Sequence, residues 1–134
     1  MSILRTVFLC LILSTVSWAA GTPVETAQQF EKTMLSAASW NDLKPQLSAE
    51  TLDDLNQLSS SQQLKALGLF KMLMATAAPN PKPSAEVQGS RATVKLRTET
   101  MEGGSKMTET RTYQLVREGG AWKVDFREPL KSVK

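Results

Sequence analysis

The sequence has no histidine, and its one cysteine, Cys10, lies near the start of the chain. Catalytic dyads that pair serine or cysteine with histidine are therefore excluded, and so are metal sites built on imidazole. The glycine-rich phosphate-binding patterns GxxxxGK[ST] and GxGxxG are also absent. A metal would need carboxylate ligands alone, and we expect no cofactor.

Apolar runs long enough to span a bilayer, which takes about 20 residues, are also lacking. The apolar run at residues 7–13 follows Arg5 and leads to the small-residue pattern of residues 17–19, which is the layout of a secretory signal peptide. Cys10 lies inside this run and after a bulky residue, so it does not fit a lipid-attachment site. We predict a signal peptide over residues 1–19, cleavage near Ala19 and no membrane anchor afterwards. The protein would be exported to the periplasm or secreted.

The remaining residues, 20–134, are enough for one domain and contain no cysteine, so packing alone must stabilise the fold. The whole chain carries 16 basic and 13 acidic side chains, a net charge of +3. In the second half the basic residues alternate with threonines and acids and do not cluster with aromatic residues. Because a nucleic-acid groove needs such aromatics for stacking, we expect no nucleic-acid partner.

The first part of this domain, residues 22–78, shows helical periodicity. Thr22 can cap a helix that begins at Pro23, and apolar residues then recur at helical spacing to residue 38. Shorter helical segments follow, and we expect Trp40 to pack between helices.

A methionine-rich helix is predicted over about 61–77. It is apolar nearly all round, which predicts a central helix buried on more than one side. The alternative is that its adaptable thioethers line a pocket or a partner surface.

After three prolines the apolar period changes to 2, and four strands are predicted over residues 84–128. Treating Gly103-Gly104 and Gly119-Gly120 as hairpin turns fixes the register of the last three strands. The predicted pairs are Ala92–Leu115, Val94–Tyr113, Leu96–Arg111 and Thr98–Glu109, then Arg117–Trp122, Leu115–Val124, Tyr113–Phe126 and Arg111–Glu128. Both hairpins place Tyr113 and Leu115 on one apolar face. The predicted fold class is α+β, with N-terminal helices packed on one face of a curved four-stranded antiparallel sheet.

The order of these elements and the last hairpin, YQLVREGGAWKVDF at residues 113–126, resemble the nuclear transport factor 2-like superfamily. The resemblance is to its small exported bacterial domains. It implies a cone in which the sheet wraps around the helices and leaves a pocket at the wide end. Because the superfamily includes isomerases, dehydratases, cyclases, immunity proteins and binding modules, it implies a fold and leaves the activity open.

The candidate site lies where the apolar face of the sheet becomes polar. Its members are Thr98, Glu109, Arg111, Tyr113 and Glu128. At the open end of a cone, Arg111 would orient a carboxylate or hydroxyl of a small ligand. The alternative is that the strands project past the helices and Arg111 pairs with Glu109 or Glu128 at a wet edge.

Two further side chains have simpler interpretations. Asp125 faces outward, opposite Gln114, and is not expected to be a catalytic base. Trp122 lies opposite Arg117, where a stacked cation–π pair would stabilise the hairpin.

These patterns favour a non-enzymatic exported module that holds a small ligand or a protein partner at the cone mouth, as a monomer or weak homodimer. One alternative is an isomerase or lyase that uses Tyr113, Arg111 and Glu109, and another is an immunity or inhibitor protein. A buried Glu109 with a raised pKa would favour the enzyme, whereas a solvated Glu109 would favour the binding module.

Overall fold

The computed structural model describes residues 21–133, so the predicted signal peptide and Cys10 lie outside the described residues. Within the described range, helices come first, a four-stranded antiparallel sheet follows in the order β1-β2-β3-β4, and one short helix ends the chain. This confirms the predicted α+β class. None of the helices in residues 21–133 is long and apolar enough to cross a membrane.

Three of the four α-helices in the described range begin after a hydroxyl cap. The four helices are α1 (Pro23–Ser36), α2 (Ala49–Asn56), α3 (Ser60–Ala75) and α4 (Arg127–Lys131), with short 3₁₀ turns at Trp40–Asp42 and Lys44–Gln46. The side-chain oxygens of Thr22, Ser48 and Ser59 accept backbone N–H groups in the first turns of α1, α2 and α3. Both long helices end two residues earlier than the periodicity predicts.

The strands are β1 (Lys82–Gln88), β2 (Arg91–Glu102), β3 (Ser105–Glu118) and β4 (Ala121–Asp125). All four pairs predicted between β2 and β3 are present, and so are Arg117–Trp122 and Leu115–Val124. Both Gly-Gly turns have positive φ at each glycine, between 56° and 84°. This is the backbone of the tight hairpin turn from which the register was predicted.

The sheet prediction was wrong at its C-terminal end, because β4 stops at Asp125 and the chain enters α4. The pairs Tyr113–Phe126 and Arg111–Glu128 therefore do not form, and Glu128 lies on a helix. The backbone N–H of Phe126 donates to the hydroxyl of Thr51 on α2 at 2.9 Å, and Phe126 has already left the extended conformation, with ψ at 20°.

The core lies between the helices and the inner face of the sheet. Phe30 of α1 packs 5.9 Å from Tyr113 and 5.2 Å from Phe126, measured between ring centroids. Phe70 of α3 lies 4.8 Å from Phe126, and Trp40 closes the cluster 6.3 Å from Phe70. The predicted packing role of Trp40 is confirmed, since it is buried and its indole N–H donates to the carbonyl of Gln63. These aromatic rings join helices and sheet into one core.

The expectation that α3 is buried on more than one side was wrong. Only the face with Ala66, Leu67 and Phe70 is fully buried. The opposite apolar side chains are exposed by 41–66%: Leu64, Leu69, Met72 and Leu73. Helical periodicity shows that a helix is apolar on both sides, but it does not show how many neighbours the tertiary structure supplies.

Thr51 connects α2 to the end of the sheet. It is fully buried, its hydroxyl lies 2.8 Å from that of Ser48, and it accepts the N–H of Phe126. The N–H of Ser48 donates to the carbonyl of Val124 at 2.9 Å. Buried hydrogen bonds thus hold both Val124, near the end of β4, and Phe126, directly before α4.

We expect Thr51→Val to lower the free energy of unfolding by about 2 kcal/mol, because a buried backbone N–H loses its acceptor while the volume hardly changes. Chemical denaturation measures the loss. Thr51→Ser, which keeps the hydroxyl, is the matched control and should lose clearly less. Equal losses in the two variants would mean that the buried methyl group stabilises this junction as much as the hydrogen bond does, and an unchanged stability in Thr51→Val would contradict the role of the hydrogen bond.

Candidate functional site

Arg111 on β3 is paired with Glu31, an acidic residue of α1. The Nε of Arg111 donates to Oε2 of Glu31 at 2.6 Å, and its Nη2 donates to Oε1 at 3.0 Å. The hydroxyl of Tyr113 donates to the same Oε2 at 2.5 Å. Each side chain of the ion pair is only 14% exposed. The carboxylate that Arg111 was expected to take from a ligand is thus supplied by the protein itself.

Sequence reasoning missed Glu31, because every residue of the predicted site was taken from the predicted sheet. Glu31 directly follows the buried Phe30 and comes four residues after the buried Ala27, so it lies at the border of the apolar stripe. A carboxylate at such a border, together with an arginine on the inner face of the predicted sheet, is the pattern that could have predicted this ion pair.

The structure brings four of the five predicted site residues together. Thr98 is buried, and its hydroxyl donates to the backbone carbonyl of Glu109 at 3.5 Å. The Glu109 carboxylate is 55% exposed and lies 3.6 Å from Nη1 of Arg111. Glu128 is separate: it pairs with Lys131 on the surface of α4 and is 83% exposed. Together with Tyr113 it lines a neighbouring hollow of about 410 Å³.

Arg111 therefore matches neither interpretation in full. It is not free to bind a ligand carboxylate, and its main partner is not an acid at an exposed edge of the sheet. The contact with Glu109 was anticipated, but the main partner is Glu31 and the pair is largely buried. A buried guanidinium needs such a partner, since an uncompensated charge in this position would be strongly destabilising.

The pairing also fixes the protonation of the cluster. Burial raises the pKa of Tyr113 well above its usual range, and the hydrogen bond to Glu31 raises it further. The hydrogen bonds that Arg111 donates to Glu31 raise the pKa of Arg111 in turn. Both shifts favour a protonated phenol and a charged guanidinium in the folded protein.

A pocket of about 450 Å³ lies beside this cluster. Glu109, Arg111 and Tyr113 line one side of it. The other walls are mostly apolar and come from α3 and the chain around α4: Phe70, Leu73, Met74, Phe126 and Pro129. Nη1 of Arg111 is buried and has no hydrogen-bond partner among residues 21–133. The pocket thus combines an apolar surface with an arginine whose buried Nη1 can donate to a ligand only after a neighbouring side chain moves.

A wider hollow of about 600 Å³ lies at the start of α1, next to Trp122. Its walls are mainly glutamine, glutamate and lysine side chains, so they are more polar than those of the pocket beside Arg111. The predicted cation–π pair at this hairpin is confirmed, with the Arg117 guanidinium 5.5 Å from the Trp122 ring centroid.

Asp125 does not resemble a catalytic base. It pairs with Gln114 across the sheet, as predicted, and both of its carboxylate oxygens accept hydrogen bonds from Arg127 at 2.8 Å. These bonds hold the pKa of Asp125 below its usual range. In the part of the chain that the structure describes, no group of three or more acidic residues is placed to hold a metal ion.

The chain matches no protein-family model, no curated protein and no solved structure.

We expect Tyr113, the only tyrosine in the chain, to remain protonated in the folded protein above pH 10, near which a free tyrosine ionises. Because its pKa is higher in the folded than in the unfolded state, stability should fall as the pH rises through about 10. Absorbance of tyrosinate should appear together with loss of the circular dichroism signal. Ionisation near pH 10 with the fold intact would contradict the buried environment of this phenol.

We expect Arg111→Met and Glu31→Met each to cost about 3 kcal/mol, because each leaves the opposite charge buried without its partner. The double variant should lose much less than the sum of the two single losses, since it removes both charges. Urea denaturation of the four proteins measures this coupling. Losses that simply add would show that the two side chains do not stabilise each other.

Proposed function

We propose that the protein is a non-enzymatic binding module that holds a small amphipathic molecule in the pocket beside Arg111. The observation that supports this most directly is the combination of apolar walls with one polar side in a space of about 450 Å³. Small-molecule sites have this size range and this composition. The apolar part of a ligand would contact Phe70, Leu73 and Met74, and its polar end would point to Arg111.

An isomerase or lyase is less well supported, because the polar groups are already engaged with one another. The Oε2 atom of Glu31 accepts hydrogen bonds from both Arg111 and Tyr113. The phenol of Tyr113 is held as a donor. Glu109 is more than half exposed, which is the condition expected for a binding module, whereas an enzyme would require a buried general base.

The proposal includes export and a cone-like arrangement of the nuclear transport factor 2-like kind. Export is supported by the signal-peptide pattern of residues 1–19. The cone is supported by the position of α1, which packs on the inner face of the sheet, and by a pocket bordered by helices and β3 together.

A protein partner is the second candidate, and one observation favours it. The outer face of α3 exposes Leu64, Leu69 and Met72 to solvent. Exposed apolar side chains on one helix often mark an interaction surface. This face and the pocket share the helix α3, but Leu64 does not line the pocket whereas Leu73 does.

The two leucines provide a matched test with the fluorescent neutral dye N-phenylnaphthylamine. We expect the dye to bind the wild-type protein and Leu73→Ser to weaken binding at least tenfold, because an apolar wall of the pocket is lost. Leu64→Ser should have little effect, although Leu64 is the more exposed of the two, at 66% against 53%. Fluorescence titration measures the affinity.

The proposal is wrong if the dye does not bind, or if Leu64→Ser weakens binding as much as Leu73→Ser does. Equal weakening would mean that the dye binds to the outer face of α3 and not in the pocket.

A further inference from the structure

We infer that the pocket beside Arg111 selects uncharged amphipathic molecules and excludes anionic ones. This inference rests on the proposed function and names the class of ligand for the same pocket. It reverses the usual expectation for a pocket that contains an arginine, because arginine is a common partner of carboxylates and phosphates.

The first reason is that the guanidinium is already bound in the way a ligand carboxylate would bind it. Glu31 occupies Nε and Nη2 through both of its oxygens, at 2.6 and 3.0 Å. A ligand carboxylate would have to displace Glu31, which is largely buried and also accepts the hydrogen bond of Tyr113. The displaced Glu31 would then be left as a buried charge without its partner, which is strongly unfavourable.

The second reason is the net charge of the cluster. Arg111 contributes one positive charge, whereas Glu31 and Glu109 contribute two negative charges within 4 Å of it. The cluster as a whole is therefore net negative, and an anion that enters the pocket meets a carboxylate on either side of the guanidinium. Like charges at such distances repel, and the partly buried setting weakens the screening by water.

The third reason is that an uncharged ligand can still use the arginine. Nη1 of Arg111 is a buried donor without a hydrogen-bond partner among residues 21–133. The Glu109 carboxylate is its nearest acid at 3.6 Å, and this side chain is exposed enough to move aside. A carbonyl or hydroxyl oxygen could then accept from Nη1 without disturbing Glu31. The apolar body of the same molecule would lie against Phe70, Leu73 and Met74.

Two dyes with the same aromatic skeleton test the inference. N-phenylnaphthylamine is uncharged, and anilinonaphthalenesulfonate differs from it by one sulfonate. Both are titrated into the wild-type protein, Glu109→Gln, Glu31→Gln and the double variant. The control is Glu86→Gln, which removes one negative charge from an exposed position on β1.

The expected result is that the wild-type protein binds the uncharged dye at least tenfold more tightly than the sulfonate. The affinity for the sulfonate should rise about tenfold in Glu109→Gln and further in the double variant. The affinities of Glu86→Gln for both dyes should remain close to wild type. Leu73→Ser should weaken both dyes, which places them in the pocket. If Glu31→Gln fails to fold, Glu109→Gln provides the comparison by itself, since its carboxylate is more than half exposed.

The possible failures are distinguishable. If neither dye binds, the proposed function is wrong and this inference with it. If both dyes bind equally, if the sulfonate binds more tightly, or if Glu109→Gln leaves the ratio of the two affinities unchanged, the charge selection is wrong while the binding function stands.

Discussion

The structure depends on the ion pair between Glu31 and Arg111, which joins the first helix to the third strand across the core. A guanidinium placed on the inner face of a sheet must be compensated, and the carboxylate that compensates it comes from a residue 80 positions earlier. Tyr113 adds a third contact to the same carboxylate. Together these bonds fix the orientation of α1 on the sheet, and they also form one side of the pocket.

The same interaction determines what the pocket can do. An arginine with free donors would attract anions, and a free tyrosine beside a carboxylate would allow acid–base chemistry. Here the groups satisfy one another, and the pocket that they border has mostly apolar walls. Stability and the proposed binding are thus coupled, because loss of Glu31 would change the charge beside the pocket and leave the buried Arg111 without its partner.

Much of the sheet could be predicted because the residues that determine its register are close together in the sequence. Two Gly-Gly turns fix the register of β2, β3 and β4, and alternation then assigns each side chain to a face. The predicted pair of Arg111 with Glu128 does not form, because β4 ends before it reaches Glu128. The hydroxyl of Thr51 accepts the N–H of Phe126 where the chain leaves the strand. No sequence pattern near residue 126 predicts this contact, because Thr51 is 75 residues away.

The sequence by itself determined the α+β class, the register of the hairpins and the grouping of Thr98, Glu109, Arg111 and Tyr113 on one face. It also excluded histidine-dependent chemistry. Only the tertiary structure decided that Glu31 completes this group, that Glu128 leaves it, and that one apolar face of α3 remains exposed. The physical reason is that periodicity and turn residues act over a few positions, whereas the compensation of a buried charge and the covering of a helix depend on how distant segments pack.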